Sequence, residues 1–338
     1  MQTLILAGGK GTRLRPLTLH TPKPVVPIAN RPFIYYQLDL LRPLDVTGTM
    51  EVLLSLSYQP RKIEEALHHE ALAGLVVSPV VERQPLGTAG AMRHVRSRVT
   101  GTLIVLNGDI LTDIDLRPVL QRHQMRRAAA TLVLVNVADT RAYGVVELDA
   151  EGRIRQFHEK PAPGVTTATS INAGIYLLEP EVLDLIPEGC EYSFEYDLFP
   201  RLLASGLPLY GDITDAYWLD IGTPERYRQA NTDVLHGRLR RYPPESSPAL
   251  TDDGSVIAPE STLKGGVSVV RSVIGANCYL EDGVHVVDSV VMAGSRIAEG
   301  AVVRASVLGR GVHVGSNSVL HNVVLGDKSV VTDFSRLG

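Results

Sequence analysis

The sequence predicts two folds in succession: an α/β domain with a mixed, mostly parallel sheet, and then a left-handed parallel β-helix. Over residues 1–240, short aliphatic runs alternate with helical patterns, which is typical of buried strands joined by helices. From residue 257 to residue 335, aliphatic residues recur with a period of 17 instead. Residues 241–256 are rich in proline, serine and acidic residues and interrupt both patterns, so we expect a linker there.

The elements of the first domain are predicted from aliphatic runs, which indicate strands, and from helical spacing with capping residues. Strands are expected at 3–7, 51–57, 75–81, 102–107, 130–135, 144–149, 154–158, 171–178 and 218–221. Helices are expected at 32–41, 60–69, 88–99 and 116–125. A last helix should begin near Pro224, with Thr223 as its N-cap.

The repeat of the second domain has the spacings 6, 6 and 5, as in the series from 257 to 263, 269 and 274. The pattern returns to register every 17 residues, as Ile257, Ile274, Val291, Leu308 and Leu325 show. A three-sided solenoid requires one inward aliphatic residue on each short side and a turn at each corner. Glycines near the expected corners, at 275, 294, 300, 309, 311, 315 and 326, agree with about four coils.

Composition excludes several classes of protein. The 338 residues carry 33 basic and 37 acidic side chains, so that the formal charge is −4, which argues against nucleic-acid binding and against an anionic membrane surface. Two cysteines, Cys190 and Cys278, are too few for a disulfide framework. Neither a membrane-spanning apolar run nor a signal peptide is recognised, so we expect a cytoplasmic protein.

A glycine-rich loop follows the first strand, with glycines at 8, 9 and 11. Such a loop lets backbone N–H groups converge on an anion. Residues 1–38 hold five basic residues (Lys10, Arg13, Arg15, Lys23 and Arg31) and no acidic one. Only six of the 33 basic residues are lysines, and Lys10, Lys23 and Lys160 are among them. The sequence therefore predicts a phosphate-binding loop that uses lysine as a compact point charge.

Two aspartates end aliphatic runs, Asp109 in Asn107-Gly108-Asp109 and Asp220 in Trp218-Leu219-Asp220. Open α/β sheets bind ligands at the carboxyl ends of their strands. Mg²⁺ takes one or two carboxylates and completes its shell with water and phosphate oxygens, so we expect these two residues to hold it. A turn or N-cap role is the alternative, especially for Asp220.

Taken together, the motifs resemble the sugar-1-phosphate nucleotidyltransferase (NDP-sugar pyrophosphorylase) family. They are residues 6–18, Thr21-Pro22-Lys23-Pro24, Pro85-Leu86-Gly87-Thr88-Ala89-Gly90, Asn107-Gly108-Asp109, Tyr143-Gly144-Val145, Glu159-Lys160-Pro161, Asn172-Ala173-Gly174 and 218–222. The resemblance covers almost the whole chain. It implies a Rossmann-like sheet of the nucleotide-diphospho-sugar transferase type, often with a β-helix tail, and Mg²⁺-dependent transfer of a nucleotidyl group from an NTP to a sugar-1-phosphate.

The resemblance also implies residue roles. Nucleotide binding falls to Leu6, Ala7, Gly8, Gly9, Gly11, Thr12, Arg13, Gln84, Pro85, Gly87, Thr88 and Asp109. Gly87 would lie against the nucleobase. The sugar phosphate would be bound by Gly144, Glu159, Lys160 and Asn172, and the metal by Asp109 and Asp220. The catalytic set would be Arg13, Lys23, Lys160 and Asp109.

Within the family, the motifs are most similar to mannose-1-phosphate guanylyltransferases, which predicts GTP and mannose-1-phosphate as substrates and GDP-mannose as product. Glucose-1-phosphate thymidylyl- or uridylyltransferase activity is the alternative. A non-catalytic nucleotide-sugar-binding regulatory subunit is a rival of another class, as is a solenoid acyltransferase using His285, His313 or His321. We expect the β-helix to form a homo-oligomer.

Overall fold

A computed structural model of the chain describes residues 1–44, 50–68, 72, 74–82, 84, 86–240 and 251–338. Residues 241–250 of the predicted linker lie outside them. The chain forms two compact units, one of Met1–Gly9 and Tyr36–Trp218 and the other of Lys10–Tyr35 and Leu219–Gly338. The second unit thus joins the β-helix to most of the predicted phosphate-binding loop. No helix of the described part has the length and apolar character needed to cross a membrane.

Before the β-helix, the strands are β1 (Gln2–Leu6), β2 (Pro27–Ile28), β3 (Arg31–Pro32), β4 (Met50–Leu56), β5 (Leu75–Val81), β6 (Leu103–Asn107), β7 (Ile110–Thr112), β8 (Ala130–Asn136), β9 (Gly144–Leu148), β10 (Ile154–Glu159), β11 (Ser170–Leu178), β12 (Leu209–Thr214) and β13 (Trp218–Asp220). The α-helices are α1 (Ile34–Leu41), α2 (Pro60–Ala66), α3 (Gly87–His94), α4 (Leu116–Met125), α5 (Pro180–Asp184), α6 (Phe199–Ser205) and α7 (Pro224–Leu235). The nine predicted strands are all present, each within two residues of its expected bounds.

The first unit is built on a nine-stranded sheet with the order β10-β9-β11-β6-β1-β4-β5, in which β8 pairs with β11 and β12 pairs with β8. Strands β6, β1, β4 and β5 are parallel, and β11 runs antiparallel to β6. Leu4, Leu53 and Val105 on these strands are fully buried, as expected for strands covered on both sides by helices. The carboxyl ends of β1, β4, β5 and β6 therefore lie together, and we call this edge the carboxyl edge.

Strand β12 was not predicted, because the run Leu-Tyr-Gly-Asp-Ile-Thr carries glycine and aspartate where a strand usually carries aliphatic residues. Tertiary contacts explain both residues. A side chain on Gly211 would lie only 2.6 Å from the methyl groups of Leu134 and Leu148. The buried Asp212 accepts hydrogen bonds from Nε and one terminal nitrogen of Arg122, at 2.7 and 2.9 Å. Helices α5 and α6 were also missed, and the helix expected at 88–99 ends at His94, before a short 3₁₀ turn.

The second unit contains the predicted β-helix, whose strands lie in three parallel five-stranded sheets. They are β14 (Val256–Ile257), β15 (Thr262–Leu263), β16 (Ser268–Val270), β17 (Val273–Ile274), β18 (Tyr279–Leu280), β19 (His285–Val287), β20 (Val290–Val291), β21 (Arg296–Ile297), β22 (Val302–Arg304), β23 (Val307–Leu308), β24 (His313–Val314), β25 (Val319–His321), β26 (Val324–Leu325), β27 (Val330–Val331) and β28 (Arg336–Leu337). Each strand pairs in register with the one 17 residues later, as Ile257 does with Ile274. Five strands on each side make five coils, one more than the repeat count predicted.

A buried serine ladder, which the sequence analysis missed, also holds adjacent coils together. It consists of Ser255, Ser272, Ser289 and Ser306, which occupy one corner of successive coils. The backbone N–H of Ser272 donates to Ser255 Oγ at 3.1 Å, and those of Ser289 and Ser306 donate to the preceding serine at 3.0 Å. These hydroxyls satisfy corner amides that would otherwise be buried without partners.

Candidate active site

The glycine loop begins at the carboxyl edge of the first unit. The N–H of Ala7 donates to Ser55 O at 3.0 Å, which extends the pairing of β1 and β4 by one step. The Ser57 hydroxyl donates to Gly8 O at 2.5 Å and holds the loop at that point. Beyond it, no described atom lies within 4 Å of the position that a Cβ on Gly9 would take. The backbone at Gly9 is thus open to a bound group.

The turn Asn107-Gly108-Asp109 lies directly against the start of this loop. The N–H of Gly108 donates to Leu6 O at 3.1 Å, and a Cβ on Gly108 would overlap the same carbonyl oxygen. Only glycine allows the two backbones to approach this closely. The turn therefore brings Asp109 next to Leu6 and Ala7, as expected for a carboxylate at the end of a parallel strand.

The start of α3 requires glycine because of a contact within the protein itself. Gly87 has φ +72°, and its Cβ would lie 2.6 Å from the backbone carbonyl oxygen of Tyr192. That oxygen accepts hydrogen bonds from the N–H groups of Ala89 and Gly90, at 2.9 and 3.1 Å. The close packing at Gly87 is thus against the protein's own backbone, and its contact with a nucleobase stays a prediction.

Glu159 and Lys160 lie at the end of β10, where Glu159 pairs in register with Gly144. A Cβ on Gly144 would lie 2.5 Å from the Phe157 ring and 2.9 Å from Glu159 Oε2, so glycine is needed for this carboxylate position. Lys160 has φ +46° and places its Nζ 3.3 Å from Glu159 Oε1. Burial, together with the charge of Glu195, raises the pKa of Glu159, and Lys160 opposes this shift.

Asn172 is held by a hydrogen-bond network that the sequence analysis did not predict. Its Nδ2 donates to the hydroxyl of Tyr176 at 2.8 Å, and its Oδ1 accepts from the N–H of Gly174 at 3.0 Å. The side chain of Asn107, in the turn that carries Asp109, lies close enough to the same hydroxyl to oppose the rise of its pKa. Tyr176 is fully buried, and burial raises its pKa far above the usual range. The sequence signal was present, since both residues belong to one predicted strand.

Glu82 is a second residue that was missed, although it directly follows the predicted strand at 75–81. Its Oε1 accepts from the Ser55 hydroxyl, and its Oε2 accepts from the Leu86 N–H at 3.2 Å. Its own N–H pairs with Leu56 O at 2.9 Å. A half-buried carboxylate therefore lies at the carboxyl edge, where β4 separates its strand from the strand that precedes the glycine loop.

In the second unit, Gly11 adopts φ +60° and makes the tight turn expected of the loop. The Thr18 hydroxyl donates to Gly11 O at 2.6 Å, and Lys23 Cβ lies 3.2 Å from the position of a Gly11 Cβ. Lys23 is buried, whereas Lys10 is exposed. Of the two predicted lysines near this loop, Lys23 thus lies at the base of the loop and Lys10 at its surface.

Arg13 and Asp220 also lie close together within this unit. A Cβ on Gly222 would be 3.0 Å from Asp220 Oδ1 and 3.2 Å from a terminal nitrogen of Arg13. Glycine at this position leaves room for both side chains. Thr223 accepts from the Arg226 N–H and begins α7, as predicted. The N-cap role considered for Asp220 is therefore filled by Thr223.

The structure therefore gathers the predicted residues into two groups. In the first unit, Leu6–Gly9 and Asp109 lie at the carboxyl edge. Gly144, Glu159 and Lys160 contact one another on β9 and β10, and Asn172 lies on β11, which pairs with β9. In the second unit, Gly11, Lys23, Arg13 and Asp220 surround the rest of the loop, where Thr12 is exposed. Of the turn before α3, Gln84 is exposed, Thr88 accepts from the Phe194 N–H at 3.0 Å, and Pro85 lies outside the described residues.

This donor set suits anionic phosphates and sugar hydroxyls. No group of three or more His, Cys, Asp or Glu side chains within the described ranges could hold a metal by itself. Asp109 in the first unit and Asp220 in the second each offer carboxylate oxygens, the kind of ligand that Mg²⁺ takes beside phosphate and water. Arginine and lysine beside a glycine turn are the groups that bind phosphate oxygens.

Comparisons with known proteins agree with this chemistry. The profile described as Nucleotidyl transferase matches residues 2–237, and that of the GMPPB C-terminal domain matches residues 248–337. A mannose-1-phosphate guanylyltransferase of Mycobacterium tuberculosis is 40% identical over 278 residues, which cover 80% of this chain and 75% of the relative. A UTP–glucose-1-phosphate uridylyltransferase of Synechocystis sp. is 37% identical over 254 residues, 71% of this chain and 65% of the relative.

Solved structures are similar to this chain as well. HddC from Yersinia pseudotuberculosis, complexed with GMP-PN, is 30% identical, with a TM-score of 0.58, and the match covers 68% of this chain and 97% of HddC. A putative glucose-1-phosphate thymidylyltransferase from Bacillus anthracis is 25% identical, with a TM-score of 0.59, over 68% of this chain and 94% of its own.

Proposed function

Because this chain belongs to the nucleotidyl transferase family, as its motifs predicted, we propose that it transfers the guanylyl group of GTP to mannose-1-phosphate. The products are GDP-mannose and pyrophosphate. The observation that carries the proposal is the arrangement in the first unit, where the Asp109 turn touches the glycine loop at the carboxyl edge and Tyr176 holds Asn172 by a hydrogen bond. Relatives named mannose-1-phosphate guanylyltransferase, at 40% and 35% identity, support the choice of substrates.

In this mechanism, a phosphate oxygen of the sugar phosphate attacks the α-phosphorus of the nucleotide. The bond from that phosphorus to the bridging oxygen breaks, and pyrophosphate leaves with the electron pair. Both partners are anions, so the task of the protein is to bring them together and to neutralise charge. Lys160 holds the attacking phosphate. Glu159 accepts hydrogen bonds from sugar hydroxyls, and Asn172 forms further hydrogen bonds with these hydroxyls. Arg13 and Lys23 hold the leaving phosphates.

Asp109 and Asp220 are the residues that would hold Mg²⁺. When bound, Mg²⁺ would neutralise charge on the phosphate oxygens. The donor chemistry supports this assignment, because both side chains offer hard carboxylate oxygens near residues suited to phosphate. Arg13 beside Asp220 supports it further, since both groups would bind the same polyphosphate.

Glu82 supports guanine as the base. Guanine presents two neighbouring donors, N1–H and the N2 amino group, that a carboxylate accepts together. Uracil and thymine present one donor between two carbonyl oxygens, which a carboxylate repels. Each oxygen of Glu82 already accepts one hydrogen bond within the protein and keeps a second lone pair for a ligand.

The test is a matrix of ATP, CTP, GTP, UTP and dTTP against mannose-, glucose- and galactose-1-phosphate, scored by pyrophosphate formed. We expect GTP with mannose-1-phosphate to give the highest kcat/KM. Glu82→Gln should lower kcat/KM for GTP by about 10- to 100-fold, the cost of a charged hydrogen bond. Glu65→Gln, on the exposed face of α2, is the matched control. A preference for glucose-1-phosphate with UTP or dTTP would overturn the substrate assignment, and pyrophosphate from no pair would favour the regulatory-subunit alternative.

We also propose a cytoplasmic homo-oligomer assembled through the β-helix. The last described coil exposes Phe334 by 74% and Val330 by 71%, and within residues 251–338 its strands β26, β27 and β28 each pair on one side. Exposed apolar residues at the open end of a solenoid favour self-association. Light scattering should give a multiple of 36.7 kDa for the native chain and a smaller mass for Phe334→Asp. A monomeric native chain would contradict the proposal.

A further inference from the structure

One outer side of the β-helix is buried, although its side chains point away from the solenoid core. In each of the strands β14, β17, β20 and β23, a valine that points away from the solenoid core is followed by a residue that points into it. In β17, for example, Val273 points outward and Ile274 inward. The outward row is Val256, Val273, Val290 and Val307, with exposures of 5%, 2%, 3% and 1%. Val324 continues the row and is 36% exposed, and Val330 on the next side is 71% exposed. Other residues of the chain therefore cover this side of the β-helix along its first four coils.

The same compact unit supplies contacts that reach this side. The turn between β2 and β3 carries Asn30, whose Nδ2 donates to Ile274 O at 2.7 Å. The neighbouring Ala29 N–H donates to Asn231 Oδ1 of α7 at 2.8 Å, which ties the turn to the last helix. The side chain of Arg271, and then the charges of Arg228 and His236 on and after α7, lower the pKa of Asp288. Helix α7 and the β2–β3 turn are thus both held on the solenoid.

Gly326 shows that the phosphate-binding loop also rests on the β-helix. The corner positions equivalent to Gly326 in other coils include Gly275 and Gly309, where a Cβ would lie 2.5 and 2.7 Å from a backbone nitrogen of the next coil. Gly326 has no such neighbour. The described atoms nearest to its Cβ position all belong to Pro16, at 3.0, 3.6 and 3.9 Å. Met292 occupies another equivalent corner, so the corner itself accepts a side chain.

Pro16 belongs to the loop that carries Arg13 and Lys23. Leu14 and Leu17 on either side are buried, at 0% and 1% exposure, while Arg13 and Arg15 are exposed. We propose that the β-helix positions the phosphate-binding loop through the contact of Pro16 with Gly326 and the hydrogen bond of Asn30. Gly326 and Asn30 are then positioning residues, which act on the leaving phosphates through the loop that carries Arg13 and Lys23. This inference rests on the proposed function for its kinetic consequence but not for the contact itself.

The test uses Gly326→Leu in the full chain, with Met292→Leu at the equivalent corner as the matched control. A leucine at 326 requires Pro16 to move, and displacement of a binding group by about 1 Å costs on the order of 10- to 100-fold in rate. We expect KM for the nucleotide and for pyrophosphate in the reverse reaction to rise by that factor, with KM for the sugar phosphate unchanged. In a Pro16→Gly background, Gly326→Leu should have no further effect.

Hydrogen exchange distinguishes a failed inference from a failed function. In Gly326→Leu, amides of residues 14–26 should exchange faster, while amides of the solenoid strands keep their protection. Asn30→Gly, which suits the positive φ of that residue, should accelerate the same amides. Unchanged exchange in the loop, equal kinetic losses with and without Pro16, or lost protection throughout the solenoid would each overturn the inference. If the native chain turns over no substrate pair, the exchange result still decides the contact.

Discussion

The hydroxyl of Tyr176 holds the side chain of Asn172, which we propose binds the sugar, so removing it tests that part of the proposed site. Tyr176→Phe keeps the buried ring, which packs on Phe194 and Phe199 at centroid distances of 4.3 and 5.6 Å, and removes one oxygen atom. Asn172 then loses the acceptor of its Nδ2. A buried polar group left without a partner costs about 1–3 kcal/mol, so we expect the free energy of unfolding to fall by that amount.

The same change should affect one substrate more than the other. Without the tyrosine hydroxyl, the Asn172 side chain keeps only its hydrogen bond with the Gly174 N–H. It is then no longer held in the orientation that we propose for binding a sugar hydroxyl. We expect kcat/KM for the sugar phosphate to fall by about 10- to 100-fold, with KM for the nucleotide unchanged. Burial raises the pKa of Tyr176 well above the assay range, so the hydroxyl stays protonated and the ratio of native to variant activity should not change with pH.

Urea denaturation and steady-state kinetics with each substrate varied in turn measure both effects. Tyr210→Phe is the control, because Tyr210 lies on β12 of the same sheet and packs its ring 4.8 Å from the Arg126 guanidinium. If Tyr176→Phe behaves like this control in stability and in KM for the sugar phosphate, the proposed network does not position Asn172.

Four further substitutions test other parts of the molecule. Glu159→Gln should raise the free energy of unfolding at neutral pH while it lowers turnover. Burial and Glu195 raise the pKa of Glu159 above 4.5, so its ionised form destabilises the fold, and the gain should vanish as the pH falls below that value; a variant less stable at neutral pH would contradict this reasoning. Ser289→Ala should cost about 1–3 kcal/mol in urea denaturation, because the N–H of Ser306 loses its buried acceptor; no loss would exclude a stabilising ladder. Asp109→Asn and Asp220→Asn should each lower kcat by about 100- to 1000-fold without unfolding the chain, and full activity in both would refute the metal assignment.

The regular parts of this protein were predictable because their signals are local. The inward residues of the β-helix are spaced 6, 6 and 5 apart, and Ile274, Leu280 and Val286 from this series are fully buried. The strands that end at Leu6 and Asn107 were expected from aliphatic runs, and their parallel pairing brings Asp109 to the glycine loop. Strand β12 was missed, because Gly211 and Asp212 are explained only by partners on other elements.

The site residues that were missed have partners elsewhere in the chain. Tyr176 packs against Phe194, and Glu82 accepts from Ser55. Gly87 was predicted to allow close approach to a base, and the structure shows in addition that a Cβ there would lie 2.6 Å from the Tyr192 carbonyl oxygen. A single sequence contains the glycine but not the identity of the atom that excludes its side chain.

For this protein, the amino-acid sequence alone determined the two folds, the 17-residue coil and the family chemistry, since periodicity and short motifs act over a few residues. Only the tertiary structure decided that the phosphate-binding loop rests on the solenoid. Pro16 and Gly326 are about 300 residues apart, and each is an ordinary turn residue by itself. Their contact follows from how the elements of the second unit pack, which no local pattern specifies.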